Sequence, residues 1–337
     1  AMTNGSVTPS VTEALTGTTI TLTVKPETGY QLKEGSLKVT DSVVAGGSGG
    51  VYTFEMPAKD VTVSAEFELV EYTVTAQTVV GGTIGVDPAS ANYKDEITIT
   101  LTPETGYEYV EGSLKVNGGD VAVTEKGDNY TFSMPAENAT VTAEFRAIDY
   151  RITPDAGMSN GTVTAAPNPA HYGDTVTLTV TPDTGYKLVA GSLKANGTPV
   201  EGNSFTMPAK DVTITAEFEK AAYSINIDGD MEHGKVEVEN GTSADFEDEV
   251  TLVVTPDEGY ELVEDSLKVT VTGGSEVDVT DNGDGTYTFE MPAGNVEVEA
   301  EFRQVDYKIA IGSIEHGTVT VNGGLTTAHF GDTIQLT

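Results

Sequence analysis

Between Phe205 and Phe218 the chain reads Phe-Thr-Met-Pro-Ala-Lys-Asp-Val-Thr-Ile-Thr-Ala-Glu-Phe. Near copies stand at Phe54–Phe67, Phe132–Phe145 and Phe289–Phe302, and the offset from Met to the last Phe is 11 in all four. In the first copy Val61, Val63, Ala65 and Phe67 alternate with polar residues, the period of a half-buried strand. The same alternation fills Thr19–Val24, with Ile20, Leu22 and Val24, and Thr175–Val180, with Val176, Leu178 and Val180. β-Branched residues spaced by Thr suit a pleated surface, and no sustained 3.6-residue stripe is present. A short helical turn is expected at most near the spacer that follows each Gly-Tyr.

Upstream of each copy lies Gly-Tyr, a spacer, then Ser-Leu-Lys. The Tyr/Lys pairs are Tyr30/Lys38, Tyr107/Lys115, Tyr186/Lys194 and Tyr260/Lys268, with an offset of 8 each time. Downstream come four residues and a Tyr: Tyr72, Tyr150, Tyr223 and Tyr307, spaced by 78, 73 and 84 residues. A fixed period of this kind marks a repeat array. The expected modules are 1–71, which lacks the first strand, then 72–149, 150–222, 223–306 and a partial fifth, 307–337. Constant offsets mark strands whose register matters, because a one-residue slip turns the apolar face outward. From Lys to Met the offset varies, 18, 19, 13 and 23, so insertions collect in one hairpin, including Asp41–Gly50 and Gly273–Gly285. Gly5, Gly82, Gly161, Gly234 and Gly317 precede strands, where positive φ in a tight turn is expected. Pro26, Pro103, Pro182 and Pro256 end strands, since Pro gives no ladder donor. About five or six strands per module result. The four-residue linkers contain neither Gly nor Pro, which predicts a repeated docking angle and a fairly stiff rod.

These residues resemble the divergent internalin-type B-repeat family of bacterial surface proteins. The matching pattern is Tyr72–Thr75 (Tyr-Thr-Val-Thr), Gly173–Pro182 (Gly-Asp-Thr-Val-Thr-Leu-Thr-Val-Thr-Pro) and Phe205–Phe218. One departure is that Leu37, Leu114, Leu193 and Leu267 stand near the place where many members carry Gly-Trp; the chain has no Trp. The resemblance implies an all-β tandem array of small β-grasp-like or sandwich-like antiparallel modules, secreted or wall-bound. It implies no catalytic residues and no defined ligand.

Composition narrows the chemistry. With 53 acidic and 17 basic residues the net charge is −36, which disfavours nucleic acid and anionic membrane, since both are bound through Lys and Arg. Acidic surfaces favour solubility and attract divalent cations. Without Cys there is no disulfide or thiolate chemistry. No apolar run approaches the ~20 residues of a membrane helix. The ends read as cuts within a longer array.

Candidate sites are few. His171 and His329 precede Gly-Asp at matching places, and His233 and His316 sit in Glu-His-Gly turns; no module repeats another's set, which argues against zinc or catalysis. Asp281, Asn282 and Asp284 form the one calcium candidate, but Thr280 and Met291 occupy places where a helical calcium loop needs acids. Cross-strand ion pairs are expected for Lys38 with Glu66, Lys115 with Glu144, Lys194 with Glu217 and Lys268 with Glu301. An isopeptide bond would need a buried Lys, and Lys38 lies between apolar Leu37 and Val39, facing out. The sequence reading is therefore a non-catalytic cell-surface stalk or spacer with no cofactor, mostly monomeric, with edge-strand self-association. The alternative is an adhesive module contacting a host protein or glycan through the variable hairpins.

Overall fold

The computed structural model describes residues 2–40, 42–44 and 47–337; Asp41, Ala45 and Gly46 of the first variable hairpin lie outside them. Two compact units result, Ala1–Tyr150 with His171–Gly173, and Arg151–Ala170 with Asp174–Thr337. Almost all regular structure is strand, as the alternation requires, and the spacer after Gly-Tyr is a turn closed by Ser36 N–H donating to the Lys33 carbonyl (3.1 Å) rather than a helix.

The second repeat shows the plan. One sheet orders Gly82–Asp87, Glu96–Pro103, Asn129–Ser133 and Thr124–Lys126. A second orders Ser90–Asn92, Glu71–Ala76, Ala139–Thr142 and Lys115–Val116. A two-stranded ribbon pairs Tyr107–Tyr109 with Phe145–Ala147. Short strands are more numerous than the sequence suggested: the run after Met-Pro-Ala is divided between the second sheet and the ribbon, while Glu96–Pro103 stays whole. The two four-stranded sheets share one core of Val74, Ile97, Ile99, Val116, Phe132, Met134, Ala139 and Val141. This is a sandwich; among the described residues no helix crosses a sheet as a β-grasp requires.

One pairing departs from the antiparallel expectation. Val74, Thr75 and Ala76 run parallel to Ala139, Thr140 and Val141. The same parallel pair joins Ile152–Pro154 to Val212–Ile214, and Ile225–Ile227 to Val296–Val298. Parallel neighbours need a long crossover, and here the crossover is the rest of the repeat. The Tyr strand opens the repeat and the strand after Met-Pro-Ala closes it. An Asn or Asp four residues beyond the Met fixes the register. Asn138 Oδ1 accepts the Thr73 N–H (2.9 Å), Asp211 Oδ1 that of Arg151 (2.8 Å) and Asn295 Oδ1 that of Ser224 (2.9 Å).

The strand-opening glycines are needed for a different reason than turn conformation. The positive φ belongs to the residue before them: Asn4, Gly81, Asn160, His233 and His316. A Cβ on Gly5, Gly82, Gly161 or Gly234 would lie 2.6–2.7 Å from the ring of Phe67, Phe145, Phe218 or Phe302. The last Phe of each repeat therefore lies flat on bare backbone. Leu37 and Leu193 are buried and Leu114 and Leu267 pack against the core.

Apolar burial supplies the stabilisation, at about 1.5–3 kcal/mol for a fully buried aliphatic side chain. Leu252 is fully enclosed in the fourth-repeat core. Leu252→Ala should cost about 2–5 kcal/mol, read as a lowered urea midpoint of the transition that unfolds the fourth repeat; an unchanged midpoint would contradict the packing described.

Candidate functional site

The geometry that recurs in this molecule is a joint between successive repeats. Each Gly of the Gly-Tyr pairs has φ near +85° (Gly29 +85°, Gly106 +85°, Gly185 +83°, Gly259 +84°). An aromatic residue of the following repeat lies against its bare Cα. A Cβ there would be 2.5 Å from Tyr93 Cβ, 2.4 Å from Tyr172 Cβ, 2.2 Å from Phe246 Cδ1 and 2.4 Å from Phe330 Cβ, respectively. Two such joints lie in each compact unit. Glycine is required twice over, by its backbone conformation and by the ring against it.

The same glycine straps the linker. Its carbonyl accepts a linker N–H: Val70 on Gly29 (2.9 Å), Ile148 on Gly106 (2.9 Å), Ala221 on Gly185 (2.8 Å) and Val305 on Gly259 (2.9 Å). The linker itself is largely strand. Phe67–Leu69 pairs with Tyr30–Leu32, and after Val70 alone Glu71–Ala76 begins; Phe218–Lys220 and Ala222–Ile227 are likewise separated only by Ala221. Between the third and fourth repeats Phe246 also meets Tyr186 edge-on (5.9 Å between rings), and its N–H donates to the Ala221 carbonyl (3.0 Å). Lys220 adds contacts to Asp248 (3.3 Å) and Glu247 (3.7 Å). Desolvation pulls the Lys220 pKa down, but the Asp248 hydrogen bond and the two acidic charges outweigh it, and the net shift is upward.

The joint aromatics were not singled out in the sequence. Their signal is an aromatic two residues before Asp: Tyr93-Lys94-Asp95, Tyr172-Gly173-Asp174, Phe246-Glu247-Asp248 and Phe330-Gly331-Asp332. The intervening residue has positive φ in every case. In the first repeat Thr16 occupies this place, before Gly17 at φ +83°.

The histidines belong to this architecture. His171 Nε2 is 3.1 Å from Asp149 Oδ1, and His329 Nε2 is 3.1 Å from Asp306 Oδ1, both beside the joint aromatic. His233 stacks on the Tyr260 ring at 4.1 Å. His316 sits at φ +61° in the matching turn. Among the described residues no three His, Asp or Glu converge in a metal-holding group.

The acidic loop is a hydrogen-bonded turn. Asp281 Oδ1 accepts the Gly283 N–H (2.8 Å); Asp284 Oδ1 accepts the Thr286 N–H (3.1 Å) and hydroxyl (2.6 Å); Asn282 Nδ2 donates to Thr286 Oγ1 (3.0 Å). The Thr286 hydroxyl, then the Thr286 N–H, hold the Asp284 carboxyl below its ordinary pKa.

The Lys-to-Glu pairing needs the same correction of register in all four repeats. Lys38 stands opposite Ser64, and Glu66 instead meets Lys33 at 2.9 Å. That hydrogen bond, together with the Lys33 charge, lowers the Glu66 pKa and raises that of Lys33. In the other repeats Lys115 stands opposite Thr142, Lys194 opposite Thr215 and Lys268 opposite Glu299. Two residues of offset separate these partners from Glu144, Glu217 and Glu301, because the strand after Met-Pro-Ala ends before its Ala-Glu. The observed pairs are exposed, and solvent screens their attraction.

Four consecutive β-sandwiches joined in one way define a tandem-repeat protein of the all-β class. The model of the divergent InlB B-repeat domain matches residues 1–71, 72–149, 151–222 and 224–306, and the chain belongs to that family. No curated protein sequence matches it significantly. Among the described residues no helix is long and apolar enough to cross a membrane.

Two tests follow from this geometry. Gly185→Ala should destabilise the joint by more than about 1 kcal/mol, because Ala resists positive φ and meets Phe246; faster amide exchange at Phe246 and Ala221 would report it. Thr286→Val should raise the Asp284 pKa toward the ordinary carboxylate range in an NMR titration. Because the folded pKa is depressed, the Asp284 contribution is present above the unfolded value and is lost as pH falls through the folded one.

Proposed function

We propose that this chain is a non-catalytic, extracellular spacer from a bacterial surface protein, holding other domains away from the cell. The observation that carries this reading is the glycine–aromatic joint, repeated four times with the same strapped linker. A linker that is itself paired strand resists bending more than a free one. What recurs from repeat to repeat is packing; the titratable groups that recur with it, His171–Asp149 and His329–Asp306, form no metal-holding group of three among the described residues. The acidic surface keeps repeats from sticking to one another and to anionic membrane.

Small-angle scattering of the whole chain tests the reading. The expected particle is stiff and extended, with a reach on the order of 120–160 Å from compact-domain scaling, and it is unchanged by chelator. A flexible chain that stiffens only with calcium would overturn the purely structural role of the acidic turns. Loop-dependent affinity of isolated repeats for a host protein or glycan would favour adhesion through the variable hairpins instead.

A further inference from the structure

The second repeat carries an open aromatic groove of about 630 Å³, lined by Tyr109, Leu114, Val123 and Tyr130 and flanked by the exposed Glu111 and Glu125. Three segments build it. Tyr109 ends the ribbon strand Tyr107–Tyr109, Tyr130 lies on Asn129–Ser133, and Glu125 lies on Thr124–Lys126, within the variable hairpin. Glu125 stands directly opposite Tyr130 in the ladder, so carboxylate and ring share one face of the sheet. The two Tyr rings are 6.1 Å apart and tilted by 59°. Tyr109 is fixed from both sides: its hydroxyl accepts the Leu114 N–H (3.2 Å), and Phe145 meets its ring edge-on at 6.3 Å. The pair is peculiar to this repeat. At the place of Tyr109 the other repeats have Leu32, Leu188 and Leu262, and at the place of Tyr130 they have Tyr52, Asn203 and Tyr287.

The charge around the groove is unbalanced. Cations on the flanking strands are taken elsewhere: Lys126 meets Glu96 at 2.8 Å, and Arg146 meets Glu108 at 2.7 Å. Among the described residues neither the Glu111 nor the Glu125 carboxylate has an ion-pair or hydrogen-bond partner. Both act on the groove all the same. The Tyr130 hydroxyl is pushed above its ordinary pKa, first by burial, then by the Tyr109 phenol and the Glu125 carboxylate, with Glu111 adding to them. The groove is therefore a site of negative potential with aromatic walls. The fourth repeat holds half of the same arrangement: Asp281 stands opposite Tyr287, but Leu262 replaces the second ring.

We infer that this groove takes an arginine side chain presented by a partner protein. A guanidinium within about 6 Å of a Tyr ring is attracted to its π face. Its fork of N–H donors matches carboxylates, and Glu111 and Glu125 are both free to accept. Arginine suits the site better than lysine, because a guanidinium is flat and weakly hydrated, whereas an ammonium is a strongly hydrated point charge that loses more on entering an aromatic slot. A neutral ligand such as a sugar would leave both carboxylates uncompensated. The inference goes beyond the spacer reading, since a stiff array can carry one contact point and still hold domains apart.

Amide NMR of the whole chain, titrated with the blocked peptide acetyl-Gly-Arg-Gly-amide in physiological salt, tests it. The expected result is a set of saturable shifts confined to the amides of Tyr109, Leu114, Glu125 and Tyr130. The same peptide with citrulline in place of arginine keeps the shape without the charge and should give none. Tyr109→Leu installs the residue that the other three repeats carry at this place, so the fold should persist while binding weakens several-fold. Glu125→Gln, at an exposed strand position, should also weaken it several-fold. General attraction of a cation to an acidic chain would instead spread the shifts over many acidic turns without saturation. That pattern, an equal response to the citrulline peptide, or an unchanged affinity in Tyr109→Leu would overturn the inference.

Discussion

The parallel pairing between the first strand of a repeat and the strand that follows Met-Pro-Ala is the contact on which the second, third and fourth sandwiches depend. It closes the second sheet, covers the Phe and Met of the Phe-x-Met-Pro-Ala block, and brings residues some 65 positions apart into register through the Asn138 side chain. Among the described residues the core clusters hold nine buried residues in the second repeat and eleven in the fourth, against four in the first, where the strand after Met-Pro-Ala has no parallel neighbour. The difference measures what one edge strand does for a small domain, because a module of this size has little apolar surface to spare.

The joint depends on the same strand at one remove. A Tyr strand begins one or a few residues after the previous repeat's last ribbon ends, so its position fixes where the next repeat begins. The glycine of Gly-Tyr then performs two tasks with one residue, taking a linker N–H on its carbonyl and a ring on its Cα. Tyr and Phe serve equally against it, since the contact is made by the Cβ and ring edge and not by a hydroxyl. Charge contributes little to this architecture. The ion pairs are exposed at both partners, and the large acidic excess is spread over sheet faces and turns.

Variation between the repeats follows the same physical division. The hairpin between the Lys and Met positions differs in length in each copy, although its Val44, Val121, Val123, Val277 and Val279 pack against the core. The Asp281–Gly285 turn ties its carboxylates to its own backbone and to Thr286.

Sequence alone determined the all-β class, the repeat, its period and most of the core. Alternating Ile20, Leu22 and Val24 can bury one face only as a strand, and all three are buried. Family membership was legible for the same reason, since constant offsets are register made visible. Three things were decided by tertiary structure. The partner of the Tyr strand is one, because a parallel neighbour some 65 residues away leaves no local period. The role of the strand-opening glycines is another: a bare Cα under a distant Phe ring looks, in sequence, the same as a turn glycine. The joint is the third, because an aromatic two residues before an Asp acquires meaning only when the preceding repeat presents a glycine to it.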